Sequence, residues 1–234
     1  IMKALQKKSG KDTYIMPIPE RAVFESGYEN EKEKYSDFIE KLEASFSDPS
    51  VVLNPLSELE KHQYEYIYFR TENSWTMRGA FYGAQVIFGE LGYNKENLDA
   101  YREYVFGTFE GNLLLETLQK YTTDEIKKDI ENMEKEPFYI YINGSNPNRE
   151  ELTFENKEGQ LQILKRQMIQ FNSSGSHAVI SSDYAHSIVE GRGTGNLLLI
   201  TDTRGKLMIS YLSEIFEKVY VSNIYEDADL IQNL

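Results

Sequence analysis

The stretch NLLLITDTRGKLMISYLSEIFEKVYVSNI, residues 196–224, narrows the fold more than any other part of the chain. Leu197 to Ile200 form a continuous apolar run without polar alternation, the pattern of a strand buried on both faces. A polar turn follows, then a helix with Leu207, Tyr211, Leu212 and Ile215 on its inner side, then a second short strand, VYVSNI. Strand, turn, helix and strand in that order build a parallel sheet, because parallel neighbours need a crossover between them. The turn lies at the carboxyl end of its strand, where open α/β sheets hold their ligands.

The amino-terminal part repeats the alternation. Residues 12–24, DTYIMPIPERAVF, start as a short apolar strand and break at Pro17 and Pro19, which cannot donate to a sheet ladder. Residues 29–46 set Tyr35, Phe38, Ile39, Leu42 and Phe46 on one helical stripe, and VVLNPLSEL supplies a buried strand and a proline-started turn or helix. YEYIYF, residues 64–69, reads as a strand or an extended lead-in to the polar stretch Glu72, Asn73, Ser74, Trp75. In the next helix, Gly79, Ala80, Gly83 and Ala84 make one side small, which lets another element pack closely. Residues ~94–190 read as a loop-rich stretch, a helix starting near Thr123 or Asp124, a strand PFYIYI, a turn cluster NGSNPN and a hairpin-like excursion, EELTFENKEGQLQILKRQMIQF. The expectation is one α/β domain over residues 1–234, elaborated at about 94–190.

Composition limits what such a domain can do. At 234 residues, with 40% hydrophobic and 27% charged residues, the chain has the make-up of a soluble globular protein with one sizeable core. No run approaches the ~20 apolar residues of a membrane span, and IMKALQKKSGKD lacks the apolar core of a signal peptide. Ile1 is an unusual natural start, so the expectation is a piece of a longer chain with an export signal or membrane anchor upstream. With no cysteine, disulfides, thiolate chemistry and zinc clusters built on cysteine are excluded. A net charge of −13 opposes binding to nucleic-acid phosphates. His62, His177 and His186 are the only histidines, and no acidic loop has metal-binding spacing, so neither a metal nor a cofactor is expected.

The turn LLLITDTRGK brings Asp202 and Thr203 to the mouth of the sheet. A hydroxyl there can attack a carbonyl if a base removes its proton, and the amides of the helix start can hold an anion. The plainer reading is that Asp202 or Thr203 caps the helix. Arg204 and Lys206, beside Gly205, have two readings of equal weight: cations for an anionic ligand, or a solvated helix start.

YFRTENSWTMRGAFYG resembles the signature segment of the DHHW family, T-D-H-H-W-T followed by G-A-Y. YIYINGSNP and LLLITDTRGK are similar to that family's later G-G-N and D-S-Y-A/G-N blocks. Order and spacing match over nearly the whole chain, with Trp75, Gly79, Ala80 and Asn146 as retained marks. The family resembles the SGNH hydrolases and the alginate O-acetyltransferases. The resemblance implies a three-layer α/β/α sandwich with a mainly parallel sheet, and a serine, histidine and aspartate acting on O-acyl groups at the cell envelope. It also implies an extracellular or cell-surface location.

By the same resemblance, Glu72 stands where the family has Asp, Ser74 where it has His, and Thr203 where it has the nucleophilic Ser. Asp202, Arg204, Lys206, Asn146 and Trp75 are then the candidate ligand-binding residues. Serine cannot accept a proton near neutral pH, and loss of the base in a triad enzyme leaves only ~10³–10⁴-fold residual catalysis. The expectation is a degenerate member that binds an O-acylated or anionic envelope glycan, or an acyl-donor partner protein, with little or no hydrolysis. The alternative is an active O-acyl esterase or acetyltransferase using Thr203 with another base. His62, His177 and His186 are read as surface or hydrogen-bonded structural histidines, and Glu72 acting directly on Thr203 is the remaining route.

Overall fold

The computed structural model describes residues 11–94, 96–111, 135–142, 150–157, 160–167, 169–171, 178–180 and 186–224, with isolated positions at 114, 116, 120, 123, 128 and 129. Ile15 and Val52 form a parallel bridge, with Ile15 N–H on the Val51 carbonyl at 2.8 Å and Leu53 N–H on the Ile15 carbonyl at 2.7 Å. Helix α1 (Glu29–Ala44) lies between them. The predicted βα-β unit is therefore present but reduced to one bridge, because Pro17 and Pro19 follow at once and cannot extend a ladder. The stripe on α1 is only partly covered: Ile39 is buried, whereas Phe38 is 51% exposed. Its packing partners are two single turns, Arg21–Phe24 and Pro49–Val51, which are too short to cover the whole stripe.

Helix α2 (Leu56–Glu60) leads into a tight hairpin over residues 66–76. Tyr68 bridges Trp75 antiparallel, Phe69 N–H donates to the Ser74 carbonyl at 3.1 Å, and Thr76 N–H donates to the Ile67 carbonyl at 2.9 Å. Thr76 then starts α3 (Met77–Glu90), where its side chain caps the first turn by accepting from Gly79 N–H. The small side of α3 receives two different neighbours. A Cβ on Gly79 would stand 2.3 Å from the Ile67 carbonyl oxygen, and one on Gly83 would stand 2.6 Å from the Trp75 ring. The opposite demand is met by Met77, Phe81 and Phe88, which are buried in the common core with Phe69, Phe138, Val189, Leu212, Val219 and Val221. Among the described residues, no helix is long and apolar enough to cross a membrane.

Strands β1 (Arg102–Phe109) and β2 (Glu136–Ile142) pair antiparallel, with a register shift between Val105 and Gly107. The strand PFYIYI is thus found, but β1 lies in a stretch read as loop-rich. Its first four residues are exposed, so it carries no alternation that periodicity can detect. Then come β3 (Glu150–Lys157), β4 (Gln160–Gln167), a short β5 (Ile169–Phe171) and β6 (Ala178–Ile180) pair, β7 (His186–Glu190), β8 (Asn196–Thr201), α4 (Thr203–Lys206), α5 (Ile209–Ile215) and β9 (Lys218–Asn223). The helix expected near Thr123 or Asp124 falls, but for isolated positions, outside the described residues, as does the turn NGSNPN.

The larger sheet runs β4-β3-β7-β9-β8. Here β8 and β9 are parallel, in register from Asn196↔Lys218 to Thr201↔Asn223, as the carboxyl-terminal pattern predicts, but β8 ends the sheet's strand order and is not buried on both faces, with Leu198 58% exposed. The other three pairs are antiparallel. The expectation of a mainly parallel sheet is corrected on this point: among the described residues the sheet is mixed. The cause lies in the elaborated region, where β3 and β4 form a hairpin with Lys157 opposite Gln160, a connection open only to antiparallel strands. The helix expected between β8 and β9 is broken into α4 and α5, with Leu207, Tyr211 and Leu212 buried as predicted and Ile215 half-buried at the rim.

Candidate functional site

One hydrogen bond joins the hairpin to the turn after β8. The Trp75 indole N–H donates to the Arg204 carbonyl at 2.7 Å, so the residues on either side, Ser74 and Thr203, share one neighbourhood. Trp75 itself is fully buried, its ring against Gly83, and its role here is to tie two segments 129 positions apart. A ring with no exposed surface offers no ligand contact in this structure.

On the hairpin, Glu72 is half-buried and its Oε1 accepts the adjacent Asn73 N–H at 2.8 Å. Ser74 is 8% exposed, and its hydroxyl donates to the Trp75 carbonyl at 3.3 Å. A serine so placed completes the hairpin's local bonding and has no capacity to take up a proton near neutral pH.

On the turn, Asp202 is the N-cap of α4. Its Oδ1 accepts the amides of Arg204 at 3.0 Å and Gly205 at 3.3 Å, and its Oδ2 accepts Arg204 Nε at 2.7 Å. The capping reading of Asp202 is the one the structure realises. Thr203 is the first residue of α4 and half-buried, and among the described residues no side chain bonds its hydroxyl. A Cβ on Gly205 would stand 1.8 Å from Thr201 Oγ1, so any other residue here requires the Thr201 side chain to move.

The two cations differ from either reading. Arg204 folds back on Asp202, with Nη1 3.9 Å from Glu20 Oε1. Lys206 is only 1% exposed, because α4 runs directly into the core and Gly205, Leu207 and Met208 are buried beside it. Arg204 is thus paired with carboxylates while 32% exposed, and Lys206 is withdrawn from solvent. Asn146 lies outside the described residues, as does His177.

The other histidines are placed elsewhere. His62 Nδ1 is 2.6 Å from Glu65 Oε1 and its ring stacks on Tyr82 at 3.6 Å between centroids, a structural histidine. Glu65 also accepts Tyr82 Oη–H at 2.9 Å and Arg78 Nη1 at 2.9 Å. Burial alone would raise the Glu65 carboxyl, but the His62 and Tyr82 hydrogen bonds and the His62 and Arg78 charges outweigh it and hold the group below its ordinary value. Arg78 continues the network to Glu103 and Tyr141. His186 sits in β7 between Phe154 and Ser222. Sequence reasoning missed the groups that grip the hairpin backbone, Arg21 and Glu136, which lie 48 to 66 positions from their partners and carry no local signal.

The fold and the two joined segments define an α/β domain whose candidate site lies where a hairpin meets the strand-to-helix turn at the carboxyl end of β8. The chain belongs to the DHHW family: the family's profile, described as DHHW protein, matches residues 53–222. A DHHW family protein from Eubacterium siraeum superposes with a TM-score of 0.70 at 21% identity, over 94% of this chain and 73% of that one. Bacillus cereus PatB1, solved with a sulfonyl adduct, gives a TM-score of 0.63 at 13% identity, over 96% of this chain and 77% of that one. At these identities the two likenesses establish the shared fold. No curated protein matches the chain.

Proposed function

We propose that this domain handles O-acyl groups of a cell-envelope glycan, binding the acylated polymer where the hairpin meets the Thr203 turn and hydrolysing it little or not at all. The observation that carries this reading is the Trp75–Arg204 bond: it joins the two segments that resemble the family's blocks, and position 74, where the resemblance implies a histidine, holds a buried serine. The family resemblance of residues 68–83 and 197–206 supplies the acyl-group chemistry, and with it the α/β/α layering and the cell-surface setting of this reading. The charge distribution narrows the ligand further. With Arg204 engaged by Asp202 and Lys206 buried in a chain of net charge −13, a neutral O-acylated glycan fits better than a polyanion.

The test is equilibrium binding of an O-acetylated envelope polysaccharide and of the same polymer after mild alkaline de-acylation. Binding of the acylated form alone, lost on Thr203→Tyr, is the expected result. Equal binding of both polymers, or of neither, contradicts it. A second reading, acyl transfer through Thr203 with a non-standard base, is favoured by one observation: among the described residues no side chain bonds the Thr203 hydroxyl. It predicts covalent labelling of Thr203 by a serine-reactive phosphonate, where the first reading predicts none.

A further inference from the structure

Residues 70–73 turn the hairpin without a glycine or proline, and the positive-φ glycines among the described residues are Gly27, Gly92 and Gly195, none of them in it. Asn73 is the one residue of a turn-forming type here, so local turn chemistry alone does not prescribe this shape. What surrounds the turn does. The Glu136 side chain, 3% exposed, lies under it at the start of β2. Its Oε1 accepts the Tyr66 hydroxyl at 2.6 Å and the Arg70 backbone N–H, and its Oε2 accepts the Thr71 backbone N–H at 3.0 Å and the Thr71 hydroxyl. From the other side, Arg21 Nη1 donates to the Phe69 carbonyl at 3.3 Å and the Arg70 carbonyl at 2.5 Å. Gly111 N–H closes the ring on Thr71 Oγ1 at 3.0 Å.

We infer that Glu136 is the positioning residue of the candidate site: its buried carboxylate fixes the backbone of residues 70–71, and through it the placement of Glu72, Ser74 and the Trp75–Arg204 bond. Four donors on one carboxylate use its full acceptor capacity, and bonds to a charged acceptor are roughly twice as strong as neutral ones. Two of the four come from consecutive amides of the turn, so the carboxylate specifies backbone direction as well as position. Arg21 acts on the carbonyls of the same peptide units, so donors and acceptors of the turn are both held by side chains remote in sequence. The inference rests on the reading that the hairpin belongs to the functional site, but its test uses no ligand.

The experiment compares wild type and Glu136→Gln by amide hydrogen exchange, with fluorescence of Trp75, the single tryptophan of the chain, as a second readout. Glutamine keeps the shape, yet whichever way its amide turns, an NH₂ group meets a backbone N–H. The expected result is exchange of the Arg70 and Thr71 amides faster by about 10- to 100-fold, with a red-shifted Trp75 emission and unchanged protection in α3. Unchanged exchange at residues 70–75, or acceleration equal in the hairpin and α3, overturns the inference, the latter because it marks a purely global stability effect. If Glu136→Gln does not fold, Tyr66→Phe removes one donor and carries the same readout. Faster exchange at residues 70 and 71 then supports the role, and none overturns it. A loosened hairpin that still binds the acylated polymer as wild type does would leave Glu136's role standing and count instead against the proposed site.

Discussion

Trp75 carries two duties that can be separated. Its ring fills the space beside Gly83, and its N–H satisfies the Arg204 carbonyl. Trp75→Phe keeps an aromatic ring but leaves a void and removes the hydrogen bond to the Arg204 carbonyl, so urea denaturation is expected to show a loss of about 2–4 kcal/mol. A loss below ~0.5 kcal/mol would mean that the junction is not held by this residue. Glu65 gives a residue-scale prediction in pH. Its folded carboxyl lies below its unfolded value, so its stabilising contribution is complete above the unfolded pKa of about 4.3 and disappears as pH falls through the folded one. The stability difference between wild type and Glu65→Gln is therefore expected to be largest near neutrality and to shrink on acidification below about pH 4.3. The side chain is 34% exposed, so the difference should also fall with added salt. A difference that grows on acidification would reverse the sign and refute the network's role.

At the scale of elements, α3 and the hairpin are fitted to each other through glycines. Alanine in a helix is ordinarily better than glycine by ~1 kcal/mol, but Gly83→Ala would place its methyl carbon 2.6 Å from the Trp75 ring. The expected cost is about 1–3 kcal/mol in the wild type, becoming neutral or favourable in a Trp75→Phe background where the six-membered ring of the indole is gone. Thermal melts of the four proteins in this cycle check it, and additive effects would contradict the contact. The small side of α3 was legible because glycine and alanine at helical spacing leave a visible gap in an otherwise apolar segment. The β8–α4–α5–β9 unit was legible for a similar reason, since Leu197–Ile200 and VYVSNI admit few other structures. Strand β1 was not, because its exposed half shows no alternation. The hairpin's shape was equally hidden, as it depends on Glu136 and Arg21 and not on its own residues. At the candidate site, the strand-to-helix turn and the Asp202 cap could be read from the chain, but the surroundings of the side chains could not. Nothing in TDTRGK foretells that Lys206 enters the core or that Arg204 turns back on Asp202.

For the whole molecule, the core is unusually dependent on un-ionised tyrosine. Burial first, and neighbouring acids or tyrosines after it, push the hydroxyls of Tyr66, Tyr68, Tyr82, Tyr141 and Tyr211 well up, and burial does so for Tyr35. Folded values above unfolded ones contribute stability that is complete below about pH 10 and is lost as pH rises through them. Ultraviolet titration is expected to show exposed tyrosines ionising near pH ~10 and a later group ionising only with unfolding. A single smooth transition for all tyrosines would contradict the packing described. For the molecule as a member of the DHHW family, the function proposed above requires that the fold be kept without a proton acceptor at position 74. Hydrolysis of p-nitrophenyl acetate tests it most directly, comparing wild type, Thr203→Ala and the triple variant Glu72→Asp, Ser74→His, Thr203→Ser. Wild type indistinguishable from Thr203→Ala, with the triple variant faster by ~10²-fold or more, is the predicted result. Wild-type turnover that disappears in Thr203→Ala would contradict it and require a base other than residue 74 at this site.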